Sequence, residues 1–361
     1  MEWTSSPKNP KVDAVIPIWN QRRLTQQCLE SILQNTEEPV RLILIDNGSL
    51  PETRHFLEQV RVPPGFQIKL IRNPENVGFI KAVNQGIRAG DAPWIVILNN
   101  DTIVTPGWLT EMLRVASSDP TIGLVNPTSN SLGFHAGTAS LESYAAALRV
   151  HSGTCTELST GLGFCLLGPR PLLESLGGLD ESFGMGYFDD DDLSRRAKQA
   201  GYRVVRACAS YVYHQERASF KLLPRRGTHF KENRRIYEGR WGRRLRILWT
   251  AFQSVPSDAV RTLAAQGHWV TLLSHSKQGF SDLDSTAQVS LLALPPKGWR
   301  LKATLRLLMR RKKPFDLVIS SDEQWSLWLT RLRFFHKARV LHQPDREEIL
   351  QACQKLSRCP S

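Results

Sequence analysis

The sequence of 361 residues lacks the features that mark membrane-spanning, secreted and disulfide-rich proteins. No apolar run approaches the roughly 18 residues that a membrane-spanning helix needs, and residues 1–10 lack the apolar core of a signal peptide. The six cysteines are scattered and form no CxxC pair, a pattern typical of free thiols in a reducing compartment. We therefore expect a cytoplasmic protein.

Acidic residues are scarce relative to basic ones, and the common phosphate-binding motifs are absent. The chain has 47 Lys and Arg against 34 Asp and Glu, a formal net charge of +13, which predicts attraction to nucleic acid, acidic lipid or phosphorylated ligands. No GxGxxG or GxxxxGKS/T motif follows the first predicted strand, so neither a dinucleotide site nor a P-loop is supported. A bound diphosphate would therefore need a cation to neutralise it.

The sequence does contain an alternation of strand and helix patterns, which is typical of a mostly parallel α/β sheet. Its length predicts two domains. In the first, the patterns predict strands over 12–20, 40–46, 66–71 and 94–98, and helices over 21–34, 51–60 and 80–89. A loop rich in Ser, Asn and Gly is expected over 128–138. In the second, they predict strands over 245–250, 269–273, 315–320 and 338–342, and helices over 257–266 and 322–332.

Polar residues follow four strands of the first domain at the points where those strands end. The four segments are Pro17–Asn20, Asp46–Ser49, Asn73–Asn76 and Asn99–Asp101. Because parallel strands all end on the same edge of a sheet, we expect one shared ligand-binding cleft. Asp101, with amide oxygens beside it, offers hard oxygen ligands to Mg²⁺ or Mn²⁺. The alternative for this segment is a polar turn that closes the strand.

A second constellation is the run of four carboxylates Asp189–Asp192, which precedes a predicted helix over 193–200. Acidic residues stabilise a helix N-terminus, but four in a row exceed what that requires, and their repulsion raises some of their pKa values. A carboxylate with a raised pKa is a suitable general base. His214, at the end of a short strand-like run, is either a structural residue or a metal ligand.

Taken together, these segments resemble the family 2 glycosyltransferases of the GT-A fold, especially their rhamnosyltransferase-like bacterial branch. The resemblance covers residues 11–242, and its pieces occur in order with ordinary spacings. They are Val15–Asn20, Ile45–Ser49, Asn73–Phe79, Asn84–Gly86, Leu98–Thr102, Gly177–Phe183, Phe188–Leu193 and His214. The resemblance implies a GT-A nucleotide-diphospho-sugar transferase domain over 11–243, after an N-terminal tail of residues 1–10. It also implies inverting transfer from a nucleoside-diphosphate sugar to a hydroxyl of a polysaccharide or lipid-linked glycan, with thymidine-diphosphate rhamnose as the first candidate donor.

The same resemblance implies a role for each matching residue. Asp101 and His214 would hold the divalent metal, Mg²⁺ or Mn²⁺. Asp190 would be the catalytic base, with Asp189 as the other member of the acidic pair and Asp192 as the second candidate. The residues implied to line the acceptor are Gly163 and Phe164. Those implied to bind the nucleotide sugar are Pro17, Trp19, Asn20, Asp46, Asn76, Gly78, Phe79, Asn84, Asn99 and Asn100.

The sequence departs from the family pattern at two positions. Asn99 stands where the DXD motif has its first acid, which removes one negative charge and predicts a weaker metal affinity. The usual Glu-Asp pair is Asp189-Asp190 here. Asn99 and the second predicted domain keep open a hypothesis from another class, in which the chain is a catalytically silent module that binds a nucleotide sugar or a membrane surface within a larger glycan-assembly complex.

Two basic segments and the C-terminal part remain. Residues 217–246 contain eleven Lys and Arg against two Glu, and we weigh contact with an anionic membrane surface against a solvated basic helix. Nucleic-acid binding is not expected, because no nucleic-acid-binding motif accompanies this charge. Residues 299–313 place Leu301, Leu305 and Leu308 on one helical face, typical of either a membrane-surface helix or, as we favour, the outer helix of a βαβ unit.

The C-terminal part, 244–361, is predicted to be a small α/β Rossmann-like domain that loosely resembles the N-terminal half of a GT-B glycosyltransferase. We expect it to serve acceptor recognition or packing. For the whole protein the resemblance implies a role in cell-wall or polysaccharide biosynthesis and a peripheral position on the inner face of the plasma membrane.

Overall fold

The computed structural model describes residues 10–215, 226–252, 257–275, 288–309 and 313–358. The chain forms two compact units, one of residues 1–156 and 160–234, the other of residues 157–159 and 235–361. This division falls within a helix over Arg226–Trp241, nine residues before the boundary that the sequence predicts at 243. In the described part of the chain, no helix combines the length and the apolar character that crossing a bilayer requires.

The first unit is built on strands that alternate with helices. Its strands are β1 (Val12–Ile18), β2 (Val40–Asn47), β3 (Phe66–Asn73), β4 (Trp94–Leu98), β5 (Thr102–Val104), β6 (Ile122–Thr128), β7 (Cys155–Glu157), β8 (Cys165–Pro169) and β9 (Arg203–His214). Its helices are α1 (Arg22–Asn35), α2 (Pro51–Gln59), α3 (Phe79–Ala89), α4 (Trp108–Ser118), α5 (Leu141–Leu148), α6 (Arg170–Ser175) and α7 (Asp189–Gln199), followed by α8 (Arg226–Trp241). The predicted strands and helices before residue 100 are all present, within about two residues at each end.

The sheet of the first unit has the strand order β3-β2-β1-β4-β8-β6-β9-β5, with β7 beside β9. The pairs β1–β2, β2–β3, β1–β4 and β6–β9 are parallel, whereas β8 runs antiparallel to both β4 and β6. The parallel strands end on one edge, as predicted, and that edge carries the polar segments after β1, β2, β3 and β4. The mostly parallel α/β architecture that the sequence predicts is thus confirmed.

Burial explains why these apolar runs form strands. All seven residues of β1 are buried, and β2 has only one that is not, as expected for strands covered on both faces. Asp13 is the one charged residue of β1. It is fully buried, and its Oδ2 lies 2.6 Å from Nη2 of Arg170. This buried ion pair joins β1 to the start of α6.

The second unit contains a five-stranded, all-parallel sheet. The strands are β10 (Arg246–Thr250), β11 (Trp269–Ser274), β12 (Val289–Ala293), β13 (Leu317–Ser320) and β14 (Arg339–His342), in the order β12-β11-β10-β13-β14. Its helices are α9 (Ser257–Ala265), α10 (Trp299–Met309), α11 (Glu323–Arg331), α12 (Arg333–His336) and α13 (Arg346–Arg358). The expected second α/β unit with a parallel sheet is therefore present.

One prediction for this unit needs correction. Helix α10 does pack against the sheet, but through Ala303, Thr304 and Leu307, which are its buried residues. Leu301 and Leu305 of the predicted apolar face are 58% and 47% exposed. The face that carries Ala303 and Leu307 is the buried one, because these two residues belong to an apolar cluster that includes Trp325 and Leu329 of α11.

Candidate active site

The loops after β1 and β2 are tied together where the nucleotide-binding residues are predicted. Asn20, in the left-handed region at φ 59°, accepts a hydrogen bond from Leu50 N at 2.7 Å through its Oδ1. Its own N–H donates to Ser49 Oγ at 2.9 Å. Asp46, at the end of β2, is buried and accepts from Ser49 N at 3.0 Å. Pro17 lies within β1, opposite Ile45 of β2, and Trp19 follows that strand half-buried.

The amides that follow β2 and β3 form a hydrogen-bonded network. Asn47 Nδ2 donates to Asn76 Oδ1 at 2.8 Å, and Asn73 Nδ2 donates to Asn47 Oδ1 at 3.0 Å. Asn76 Oδ1 also accepts from Gly78 N at 2.9 Å, which fixes the turn into α3. Gly48 is required where the β2 turn meets this segment, because its φ is 73° and a Cβ there would lie 2.5 Å from the carbonyl carbon of Glu75.

Two of the residues predicted to bind the nucleotide sugar form hydrogen bonds with other parts of the protein. Asn84 of α3 is buried and binds the backbone of Leu179 at both ends of its amide, through Nδ2 at 2.8 Å and Oδ1 at 2.9 Å. Asn100 is buried and donates to Thr25 Oγ1 of α1 at 2.9 Å. These side chains direct their polar atoms into the protein.

Asp101 and His214, the two predicted metal ligands, lie next to each other. The antiparallel pairing of β5 with β9 places Thr102 opposite His214. Asp101, which directly precedes β5, therefore lies beside the end of β9. Asp101 Oδ1 lies 3.1 Å from His214 Nε2. This approach does not have hydrogen-bond geometry, and Asp101 Oδ1 is buried without a hydrogen-bond donor among the described residues. Asn99 Nδ2 is 3.3 Å from the same His214 Nε2.

His214 is held in position by the loop over 128–138. The side chain of Asn130 forms two hydrogen bonds of 2.8 Å with the backbone of His214. Its Nδ2 donates to His214 O, and its Oδ1 accepts from His214 N. Ser131 Oγ lies 2.9 Å from Nδ1 of the ring. Phe164 stacks on the imidazole with ring centroids 5.0 Å apart and planes 13° apart. The ring therefore presents Nε2 to Asp101, the arrangement expected of a metal-ligating histidine whose other nitrogen is bonded.

The acidic run forms the first turn of α7 and does not precede the helix, as the sequence had suggested. Asp190 Oδ2 accepts from Gly163 N at 3.1 Å, and its Oδ1 accepts from Asp191 N at 2.8 Å. Asp192 is fully buried and pairs with Arg196 Nε at 2.7 Å. Burial and the neighbouring Asp190 charge raise the pKa of Asp189 well above its ordinary range. The geometry thus favours Asp190 over Asp192 as the residue that faces a substrate.

A cavity of about 430 Å³ brings several predicted residues together. Predicted residues in its lining are Phe79, Asn99, Gly163, Phe164, Asp189, Asp190 and His214. Six residues that were not predicted complete the lining: Ser131, Leu162, Tyr187, Phe188, Asp191 and Phe230. Residues of the predicted nucleotide site on β1 and β2 lie outside this lining, as does Asp192.

The backbone, and not a pattern in the sequence, marks two of the aromatic residues that were not predicted. Tyr187 and Phe188 directly precede the acidic run, and both have left-handed backbones, with φ of 74° and 68°. Non-glycine residues in this region cost about 1–2 kcal/mol each and cluster at functional sites. Phe230 of α8 contacts both rings, at centroid distances of 5.5 and 5.2 Å.

The buried cysteines take no part in the chemistry of this site. Cys28 and Cys165 are fully buried, and burial raises the pKa of the Cys28 thiol to about 12. The pKa of Cys165 is raised in the same direction for the same reason. A thiol that stays protonated is a poor nucleophile and a poor metal ligand. All five cysteines in the described residues are free, as predicted, whereas Cys359 lies outside those residues.

The chain is similar in sequence to proteins of a known family. The model of the family "Glycosyl transferase family 2" matches residues 13–174. The chain is 30% identical over 224 residues to N-acetylglucosaminyl-diphospho-decaprenol L-rhamnosyltransferase of Mycobacterium tuberculosis, across 53% of this chain and 71% of that enzyme. It is 28% identical over 232 residues to the O-antigen biosynthesis protein RfbC of Myxococcus xanthus, across 58% of this chain but only 18% of that protein.

A solved structure is also similar. Mannosyltransferase PcManGT from Pyrobaculum calidifontis, in complex with GDP-Man and Mn²⁺, aligns with a TM-score of 0.47 at 20% identity, across 64% of this chain and 66% of that one. The sequence matches confirm the family that the motifs predicted, including its rhamnosyltransferase-like branch. The chain therefore belongs to glycosyl transferase family 2, and it is a glycosyltransferase with the GT-A-type α/β fold.

Proposed function

We propose that this glycosyltransferase moves a sugar, with inversion, from a nucleoside-diphosphate sugar to a hydroxyl acceptor with the help of a divalent metal. One observation carries the proposal. A carboxylate suited to act as base, Asp190, and a candidate metal ligand, His214, line the same cavity, and His214 adjoins the buried Asp101.

The chemistry of Asp101 and His214 fits a divalent cation. A buried carboxylate oxygen without a hydrogen-bond donor is unfavourable unless a cation satisfies it. Carboxylate oxygen and imidazole nitrogen together suit Mn²⁺ or Mg²⁺. Among the described residues no group of three or more His, Cys, Asp and Glu could hold a metal, so the donor diphosphate and water would supply the other ligands. A bound metal would stabilise the charge that develops on the departing diphosphate.

Asp190 is proposed as the general base. Its carboxylate would take the proton of the acceptor hydroxyl while that oxygen forms a bond to the anomeric carbon. The bond from the anomeric carbon to the diphosphate breaks in the same step, and its electron pair leaves with the diphosphate. A single displacement from the opposite face inverts the anomeric configuration. The hydrogen bonds from Gly163 N and Asp191 N hold the carboxylate in position for this transfer.

We assign the remaining predicted residues by their place in the site. Pro17, Trp19, Asn20 and Asp46, at the ends of β1 and β2, are proposed to receive the nucleotide. Phe79 and Asn99 are proposed to line the sugar. Asn76, Gly78, Asn84 and Asn100 are proposed to support the site through the hydrogen bonds described above, although the sequence had suggested direct contact with the nucleotide sugar.

For the acceptor we propose a glycan or a lipid-linked glycan. The support is the aromatic lining beside Asp190, formed by Phe164, Tyr187, Phe188 and Phe230, because aromatic faces pack well against sugar rings. The name of the Mycobacterium relative describes a rhamnosyl transfer to a diphospho-decaprenol-linked sugar. Thymidine-diphosphate rhamnose is therefore our first donor candidate, with a role in cell-wall or polysaccharide synthesis at the cytoplasmic face of the membrane.

A second candidate function is a module that binds the nucleotide sugar without turnover. Asn99 favours it, because an amide stands 3.3 Å from His214 Nε2 where the family motif has a carboxylate. The lower negative charge would weaken metal binding. Such a module would bind the donor but release no nucleoside diphosphate with any acceptor.

The test is a thermal-shift panel of nucleoside-diphosphate sugars with and without Mn²⁺, run on the wild type, Asp101→Ala and the exposed control Asp91→Ala. We expect one donor to raise the melting temperature only when Mn²⁺ is present, because ligands stabilise the state that binds them. The shift should persist in Asp91→Ala and disappear in Asp101→Ala. An equal shift in all three proteins would contradict the metal role of Asp101. No shift with any donor would contradict the proposed function.

A further inference from the structure

The second unit has an exposed apolar surface on three neighbouring helices. Its large side chains come from α10, α11 and α12, which follow one another over one face of the sheet. The exposed fractions are 58% for Leu301, 47% for Leu305, 77% for Met309, 57% for Leu327, 40% for Trp328, 86% for Phe334 and 70% for Phe335. We call these seven residues the outer apolar face.

The packing of the helices explains why these side chains share one surface. Ala303 and Leu307 of α10 and Trp325 and Leu329 of α11 belong to one buried cluster with sheet residues. Trp325 Nε1 donates to Thr304 Oγ1 at 2.9 Å, which joins the two helices. Because these residues fix which side of α10 and α11 is turned inward, the exposed apolar side chains of these two helices lie on the opposite side. In α12 the buried residue is His336, and Phe334 and Phe335 are exposed.

Basic residues flank this face. The described side chains are Arg300, Lys302 and Arg306 on α10, and Arg331, Arg333 and Lys337 around α12. Glu323 is the only acidic residue in 299–309 and 323–337. In the described part of the structure only Arg300 of these six cations forms an ion pair, with Asp322 at 2.7 Å.

We infer that the outer apolar face docks on an anionic lipid bilayer. Leu, Met, Phe and Trp side chains on one side of a helix layer enter the boundary between headgroups and acyl chains, while Lys and Arg around them contact acidic headgroups. A second copy of the chain is a poorer occupant, because pairing two such faces would bring like charges together. An anionic surface supplies the complementary charge. This inference extends the proposed lipid-linked acceptor by naming a surface that would hold the enzyme beside it.

The test uses the full chain and sedimentation with vesicles, with no donor or acceptor present. Vesicles of phosphatidylcholine with about 30% phosphatidylglycerol are compared with phosphatidylcholine alone. The variants are Phe334→Ser with Phe335→Ser, and Lys302→Glu with Arg306→Glu. The control is Val150→Ser, which removes an apolar side chain of the first unit that is 82% exposed. Circular dichroism and melting temperature establish that each variant is folded.

We expect the wild type and Val150→Ser to bind the anionic vesicles and to dissociate as salt is raised. Each double variant should lower the partition coefficient on the order of tenfold. Equal binding by the wild type and both variants would overturn the inference, as would failure of the wild type to bind. A concentration-dependent dimer that the Phe variant abolishes without lipid would also overturn it, in favour of a second copy. Because the assay contains no donor, a failed glycosyl-transfer assay leaves its outcome unaffected.

Discussion

At the scale of single residues, the four aspartates at 189–192 have four different surroundings. Asp189, Asp190 and Asp191 all line the cavity, but Asp189 is buried with a raised pKa, Asp190 accepts a hydrogen bond from Gly163 N, and Asp191 is half-buried. Asp192 lies outside the lining and pairs with Arg196. A helix turns by about 100° per residue, so consecutive side chains must point in different directions. Among these carboxylates, Asp190 is the one that we propose as the base.

Phe230 is expected to contribute to acceptor binding. Its ring is 44% exposed and lines the cavity beside Tyr187 and Phe188. Phe230→Ala should raise the acceptor KM roughly three- to tenfold, the typical contribution of one aromatic contact, and should leave donor affinity unchanged. The matched control is Ile236→Ala, on the same helix with 36% exposure. Steady-state kinetics with varied acceptor measures the effect, and equal KM values for the two variants would contradict this role.

Ser131 is expected to act through His214. Its Oγ lies 2.9 Å from His214 Nδ1 and so orients the ring toward Asp101. Ser131→Ala should weaken Mn²⁺ binding about 10- to 100-fold, as is usual when a partner of a metal-ligating histidine is removed. The measurement is the Mn²⁺ concentration that gives half of the donor-induced thermal shift. The exposed Ser182→Ala should keep the wild-type value, and the role fails if Ser131→Ala keeps it too.

At the scale of elements, the start of α7 places a carboxylate where ionisation is unfavourable. Asp189 is the first residue of α7 and only 5% exposed, so burial, followed by the neighbouring Asp190 charge, raises its pKa. A group whose pKa is raised on folding stabilises the protein below its unfolded pKa. That contribution is lost as the pH rises through the folded pKa.

Asp189→Asn should therefore become more stable relative to the wild type as the pH rises. The neutral amide avoids the unfavourable ionisation, so the difference in the free energy of unfolding should grow by up to about 1.4 kcal/mol per pH unit until the pH passes the folded pKa. Urea unfolding at several pH values between about 5 and 8 measures this difference. The exposed Asp91→Asn is the control, because the pKa of Asp91 is lowered by Arg41 and the group therefore stays ionised across this pH range. A difference that does not change with pH would contradict the raised pKa.

The elements also show how far the sequence can predict this fold. Apolar runs and turn residues were sufficient for β1 to β4 and for α1 to α3, because those elements alternate locally along the chain. The antiparallel insertion of β8 between β4 and β6, and the pairing of β5 with β9, depend on contacts between distant residues. These pairings have no local signal, yet the second one brings Asp101 to His214.

The early residues of α7 illustrate a different limit. The sequence suggested that the helix begins at residue 193, but it begins at Asp189 because acidic side chains stabilise the positive end of the helix. Phe188 precedes it in the left-handed region, without a side-chain cap. Aromatic residues are uncommon there, so no propensity rule predicts that Tyr187 and Phe188 turn into the cavity.

At the scale of the whole molecule, the chain combines a unit that carries the glycosyltransferase family motifs with a second parallel-sheet unit. Each has its own buried core. The family motifs lie in the first unit, and the candidate site can be assembled from that unit alone. The second unit carries no comparable motif in its sequence. Its exposed apolar face could not be predicted, because the sequence pattern placed Leu301 and Leu305 of α10 on the buried side of the helix, whereas the structure exposes them.

The central claim, that Asp190 is the base of a metal-dependent transferase, is tested most directly by the turnover of Asp190→Asn. The rate of transfer to acceptor is compared in the wild type, Asp190→Asn and the exposed control Asp91→Asn, using a donor identified by thermal shift. An amide cannot accept the acceptor proton, so kcat should fall about 10²- to 10⁴-fold in Asp190→Asn while the donor-induced thermal shift is retained. Asp91→Asn should match the wild type. Wild-type turnover by Asp190→Asn would contradict the account.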